Sequence, residues 1–250
     1  MINKETIAVQ LYSAREELAL DFAGTMRAIA SYGYRAVEAA TLPADVNVDA
    51  AKSLFDDLDI KVVSAHSPLP LGVNRDGILD HIKSLDCEYL VCPWLAPEEY
   101  FSDLDGIKTA CEMLNKANEV CKSADLKLAY HNHWFEMEAV EGKIAYQHML
   151  DYLDSDILFE LDTYWVQVAG LNPVTVINEL KDRLPLIHLK DGSAENNTDN
   201  MVALGDGAMD VPAILEASPA LWHIVELDRC SDDMLTAIKD SYSYLMELNA

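Results

Sequence analysis

Positive charge is scarce in this chain: 18 Lys and Arg stand against 43 Asp and Glu, a formal charge of -25 at pH 7. That balance repels phosphate backbones and anionic lipid, so neither nucleic acid nor a membrane surface is an expected partner. An excess of acid also suits a well-solvated surface, and it identifies no substrate. No apolar run of about 18 residues is present to span a bilayer. The opening MINKETIAVQLY passes straight into an apolar strand without a basic segment and long apolar core, so no secretory leader is expected. The five cysteines (Cys87, Cys92, Cys111, Cys121, Cys230) lack C-x-x-C spacing. Free thiols in a reducing cytoplasm fit better than a disulfide framework or a sulfur-bound zinc. G-x-G-x-x-G and Walker patterns are missing, which removes the usual nucleotide-binding loops. No linker rich in Gly, Pro or Ser divides the chain, so residues 1–250 read as one domain.

What is present is apolar side chain in quantity. Half of the 250 residues are hydrophobic and 24% are charged, enough for one large core under a soluble surface. Short β-rich runs recur at IAVQLYS (7–13), AVEAAT (36–41), KVVSAHS (61–67), YLVCPWL (89–95), LKLAYHNH (126–133), LFELDTYW (158–165), PLIHLKD (185–191) and WHIVELD (222–228). Helical patterns fill the gaps. ELALDFAGTMRAIASYG is the clearest, with Gly33 at the C-terminal cap, and residues 104–123 and 232–248 repeat the periodicity. After the third strand only Gly77 to Leu85 is available for a helix. Eight strand and helix alternations require a parallel sheet and close naturally into a single (β/α)8 TIM barrel, with a doubly wound open sheet as the alternative.

In such barrels the chemistry sits at the C-terminal strand ends. Those ends carry Glu38, His66, His131 with His133, Asp162, His188 with Lys190, and Glu226 with Asp228. Strand alternation gives His131 and His133 one parity, and likewise Glu160 with Asp162, His188 with Lys190, and Glu226 with Asp228, so several point inward together. Buried carboxylates and imidazoles need partners, and one divalent cation satisfies many at once. Each residue also has a plainer role: Asp162 can cap the following helix, His66 can be a hydrogen-bonded core residue, and Glu160 can belong to a buried ion pair. A set of four on successive strands, His131, Asp162, His188 and Glu226, is harder to assign to caps.

The stretches AYHNHWFEME, FELDTYWVQVAGLNP, IHLKD, ALGDGAMD and HIVELD together resemble the sugar phosphate isomerase/epimerase family, related to xylose isomerase-like barrels and AP endonuclease family 2. The resemblance implies a divalent metal (Mn²⁺, Mg²⁺ or Co²⁺) on Asp162, His188, Glu226 and a strand-five residue. Many family epimerases place Glu there, where this chain has His131, so Glu226 lacks a carboxylate twin. Some keto-sugar epimerases have His three residues after the metal Asp, where this chain has Trp165.

The expected reaction removes a proton α to a carbonyl in a sugar or keto-sugar, through an enediolate. Glu226 is the first candidate base, with His131, His133 or Glu136 as the second group; Glu136 is otherwise a solvated loop residue. Lys190 is expected to hold a substrate oxygen, or to pair with Asp191 or Glu160. Glu38, His66, Trp94 and Trp165 are the further candidate substrate contacts, the two indoles covering a sugar face unless they pack in the core. An unphosphorylated substrate is favoured, because no Gly-rich phosphate loop exists and only Arg15, Arg75, Arg229 and Lys190 lie near the catalytic face. The alternatives are an inosose-type dehydratase or 3-oxo-glycoside lyase on the same barrel, and a metal-free sugar-binding barrel. A DNA-repair nuclease would need a basic groove that this chain lacks. The sequence permits a homo-oligomer. Residues 192–210, rich in Asn and Gly, form the longest catalytic-side connection and are expected to act as a lid.

Overall fold

Each of the eight apolar runs folds as a strand that stops short of the run's C-terminal end: β1 (Ile7–Gln10), β2 (Ala36–Ala39), β3 (Lys61–His66), β4 (Tyr89–Cys92), β5 (Lys127–His131), β6 (Leu158–Asp162), β7 (Leu186–Leu189) and β8 (Trp222–Val225). This computed structural model describes residues 4–248. The strands are parallel, and β8 pairs back onto β1 with Ile7 opposite His223 and Val9 opposite Val225. The sheet therefore closes into a (β/α)8 TIM barrel, and the open-sheet alternative is excluded. Among the described residues no helix is long and apolar enough to cross a membrane.

Strand alternation divides the barrel into an apolar base and a polar upper layer. Ala8, Ala36, Val91, Ala129, Leu186 and Ile224 pack together inside it. Two residues further along come Gln10, Glu38, His131 and His188 on their strands and Glu226 just past β8, all buried. The opposite faces, including Val9, Val37, Leu128, Ile187 and Val225, pack in the larger core with the helices. Apolar burial there contributes about 25 cal/mol per Å². The upper layer is unfavourable unless its groups pair, and their pairing builds the site.

The helices depart from expectation at one place. The predicted continuous helix over ELALDFAGTMRAIASYG is two, Arg15–Leu20 and Phe22–Tyr32, because Asp21 leaves helical geometry (φ -151°) and its carboxylate accepts from Gly24 N at 2.9 Å as an N-cap. Gly33 does end the second helix, at φ 116°, and a Cβ there would meet the Tyr242 ring at 2.4 Å. The helix after β3 spans Arg75–Ser84, and those at Leu104–Ser123 and Met234–Glu247 lie where periodicity placed them.

The connection after β7 is a tethered strap. Asp191–Gly192 pairs antiparallel with Met201–Val202. The Asp191 carboxylate accepts from Gly192 N (2.8 Å), Gly205 N (2.9 Å) and Met209 N (3.0 Å). Arg229 donates to the carbonyls of Asn197 and Asp199 at 2.8 and 3.2 Å. Met201 and Leu204 are buried. The expected lid is thus pinned along its length, and a swinging motion would break these bonds.

Candidate metal centre

A register shift between Val37 and Glu38 sets Glu38 opposite Ser64. Irregularities of this kind re-aim side chains near functional sites. Here the Ser64 hydroxyl donates to Glu38 Oε2 and the Gln10 amide to Glu38 Oε1, both at 2.6 Å. The anchored Glu38 Oε1 then meets His188 Nε2 at 2.7 Å. A second enclosed carboxylate, Glu160, gathers His66 Nε2 at 2.7 Å, His131 Nδ1 at 3.1 Å and His188 Nε2 at 3.2 Å.

With these nitrogens turned down toward Glu38 and Glu160, the others turn toward the mouth. His188 Nδ1 lies 2.6 Å from Glu226 Oε2, and His131 Nε2 lies 3.9 Å from Asp162 Oδ2. One donor atom from each of His131, Asp162, His188 and Glu226 falls within 4.8 Å of the other three. Asp162 caps the next helix and still offers its second oxygen to the group. Its Oδ1 caps the next helix, accepting from Tyr164 N (3.0 Å) and Trp165 N (3.2 Å), while Oδ2 has no hydrogen bond.

Lys190 balances the charge. Its ammonium lies 2.8 Å from Asp162 Oδ2, 2.9 Å from Glu226 Oε2 and 2.8 Å from Asp228 Oδ2. Neither Asp191 nor Glu160 is its partner: Asp191 holds the strap, and Glu160 holds histidines. Burial would raise Glu226, but Lys190 and His188 outweigh it and keep the carboxyl well below the usual range. Burial lifts Asp162 to about 6, with Lys190 opposing. It also lowers His131 to about 3 and His133 well below the ordinary imidazole value, which leaves both neutral and able to donate a lone pair.

Two imidazoles and two carboxylates make a donor set suited to Mn²⁺, Co²⁺ or Zn²⁺. Metal-binding histidines usually give their second nitrogen to a carboxylate, the arrangement that Glu38 provides for His188, while Glu160 lies 3.1 Å from His131 Nδ1 without a hydrogen bond. The residues therefore fit a divalent cation, and Asp162 Oδ2, which has the Lys190 ammonium beside it at 2.8 Å, is the buried atom that one would take. A second group, His66, His131, Glu160 and His188, is equally tight. Its shared carboxylate, Glu160, is fully enclosed, whereas His131 and Glu226 line the open cleft, so the first set is the one a substrate could approach.

The cleft above holds about 700 Å³ and is floored by His66, His131, His133, Glu226 and Asp228. His66 and Trp94 reach it as expected, Trp94 being 51% exposed. Four expected groups do not, one of them Lys190, expected to hold a substrate oxygen but buried among three carboxylates. Glu38 is wholly buried beneath His188 and supports it instead of touching substrate. Trp165 is 2% exposed, packed against Trp134 at 5.3 Å between ring centroids, so it belongs to the wall. Glu136 is neither a solvated loop residue nor free to act as a base: fully buried, it accepts from the Tyr130 hydroxyl (2.5 Å) and from His133 N (2.8 Å). Gln10, Ser64 and Tyr130 were not anticipated as parts of the site. Gln10 follows from the regular β1–β2 pairing, Ser64 could have been found only through the shifted β2–β3 pairing, and Tyr130 only through the turn that returns Glu136 to it.

Against known proteins, the model of the xylose isomerase-like TIM barrel family matches residues 26–217. The chain belongs to that family. Over 98 residues it is 24% identical to inosose dehydratase of Clostridium beijerinckii, covering 39% of this chain and 32% of that protein. A match to inosose dehydratase of Geobacillus kaustophilus has 26% identity over 127 residues, 45% of this chain and 40% of the other. The aligned part thus spans well under half of those relatives. Among solved structures, a sugar phosphate isomerase/epimerase from Parabacteroides distasonis superposes with TM-score 0.80 at 24% identity, covering 96% of this chain and 97% of that one. The IOLI protein with a binding zinc atom gives TM-score 0.75 at 17% identity, with 97% of both chains covered.

Proposed function

We propose that this protein is a divalent-metal-dependent enzyme that removes a proton α to a carbonyl in a sugar or keto-sugar, leading to isomerisation or epimerisation. The observation that carries this reading is the convergence of four donor atoms beneath an open cleft that His131 and Glu226 line, with Glu38 and Glu160 behind the two histidines. Mn²⁺, Mg²⁺ or Co²⁺ on His131, Asp162, His188 and Glu226 would supply Lewis-acid charge to the substrate's oxygens. The chain's own groups do the rest. Glu226, ionised and facing the cleft, is the first proton acceptor. His133 faces the same space with Nδ1 unpartnered, and its neutral imidazole is the second group able to take or return a proton. Lys190 keeps the carboxylates apart in charge while Asp228 holds it in place.

An unphosphorylated substrate is favoured because Arg75, 3.5 Å from Asp76, does not line the cleft and the other nearby cations are engaged. Arg15 donates to the carbonyls of Tyr12 and Asp228, Arg229 holds the strap, and Lys190 has three carboxylates. Dehydration from the same opening step is the second reading, favoured by the names of the two curated relatives.

The test is a panel of keto-sugars and inositol ketones incubated with enzyme and Mn²⁺ in D₂O and followed by NMR. Deuterium should enter at the α-carbon, and chelation should stop it. An inverted centre or moved carbonyl would mark an epimerase or isomerase, and loss of water a dehydratase. A ligand that binds without exchange under any metal would replace the enzyme by a sugar-binding barrel.

A further inference from the structure

The cleft is much larger than the floor where the donors converge. At about 700 Å³ it has several times the volume of one hexose and falls in the range of roughly 300–1,000 Å³ that encloses drug-sized ligands. Polar floor residues occupy one end. The remaining wall is mostly apolar and aromatic, with Tyr12, Leu69, Trp94 and Tyr100 prominent.

The mouth is also asymmetric. Over β6 and β7 it is closed, by Trp165 packed on Trp134 and by the strap that Asp191 ties down. Toward β1 and β4 it is open, and there two large rings stand in water: Tyr12 is 43% and Trp94 51% exposed. Both are tied through their backbones, and the Tyr12 ring is also met by Arg15. Tyr12 N donates to Gln10 Oε1 at 3.0 Å, tying its backbone to the network that holds Glu38, and the Arg15 guanidinium lies 4.2 Å from the ring centroid. Trp94 follows Cys92 and Pro93 directly after β4, and Cys92 Sγ lies 3.9 Å from the Trp94 carbonyl oxygen. Aromatic faces at an open cleft edge, with Thr41 on the same lining and engaged cations nearby, suit a neutral ring with an apolar face and a hydroxylated rim.

We propose that Tyr12 and Trp94 form a second subsite for an uncharged sugar ring, so that the substrate is a glycoside of at least two rings, its reacting ring on the floor and its second ring at the mouth. This rests on the proposed function only for the statement that the floor ring reacts.

Isothermal titration of the Mn²⁺-loaded and chelated protein with glucose, maltose, cellobiose and phenyl glucoside reads binding without turnover. Failure of proton exchange and failure of the subsite therefore show separately. At least one disaccharide should bind about tenfold or more tightly than glucose. Trp94→Ala and Tyr12→Ala should each remove a several-fold part of that gain, up to about tenfold for a stacked ring, and Trp94→Phe should restore much of it. Both side chains are solvent-facing, so the variants should keep the wild-type melting temperature. Equal affinity for glucose and both disaccharides would overturn the proposal. So would a gain shown by phenyl glucoside alone, which would make the subsite an aromatic pocket, or a wild-type dimer that Trp94→Ala dissociates without any disaccharide preference.

Discussion

His188 Nε2 and Glu38 Oε1 lie 2.7 Å apart, both fully buried, with Gln10 and Ser64 holding the carboxylate from below. The pair fixes which imidazole nitrogen faces the site. Replacing such a carboxylate typically costs 10–100-fold in metal affinity without removing a ligand. Glu38→Gln should therefore weaken Co²⁺ or Mn²⁺ binding by about tenfold or more in a direct titration. An unchanged affinity would show that Glu38 does not orient His188.

Glu226 and Asp162 should separate metal binding from proton transfer. Glu226→Gln keeps shape and one donor oxygen but loses charge, so turnover should stay depressed by at least about 10² even at saturating Mn²⁺, the lower end of what a positioned base contributes. Asp162→Asn should act mainly through metal affinity and recover as Mn²⁺ is raised. Normal α-carbon exchange in Glu226→Gln would pass the base role to His133.

The barrel was legible in the sequence because strand periodicity and strand-end chemistry are local. Parity alone put His131, His188 and Glu226 inward, and the tight four-residue group followed. What escaped depended on contacts set by tertiary register. Glu38 became a support because the β2–β3 pairing slips by one residue, and Glu136 became a clamp because the turn after His133 folds back on Tyr130. Trp165 was ambiguous by composition, since an indole serves equally in a core or over a sugar. The lid reading relied on Asn and Gly content, which reports turn conformations and not the tethers that Asp191 supplies.

Asp191 makes the strap testable. Its carboxylate satisfies three backbone N–H groups, and a Cβ on Gly207 would sit 2.1 Å from its Oδ1. Asp191→Ala should cost on the order of 1–3 kcal/mol, the usual penalty for stranding buried donors, and should speed amide exchange across residues 192–210. Gly207→Ala should do the same by collision. If amide exchange in that segment were as slow in both variants as in the parent, the strap would be held by something other than Asp191.

Glu136 gives a pH signature from a group that is not one of the four donors, although Asp162 adds to its shift. Burial pushes its carboxyl up to about 8, even though Tyr130 and the His133 amide favour the ionised form. Since the folded value lies above the unfolded one near 4.5, between those two pH values the folded protein keeps a proton that the unfolded chain has lost. Stability from this group is then fully present below about 4.5 and declines as pH rises toward 8, by about 1.4 kcal/mol per pH unit for one proton. Glu136→Gln stays neutral throughout and removes that slope. Urea denaturation of both proteins at pH 5.5, 7 and 8.5 isolates the effect, because other titrating groups are common to the two. The stability of wild type relative to Glu136→Gln should fall steadily across the series. A constant difference would place the Glu136 carboxyl in its ordinary ionised state at neutral pH, with the two hydrogen bonds prevailing over burial.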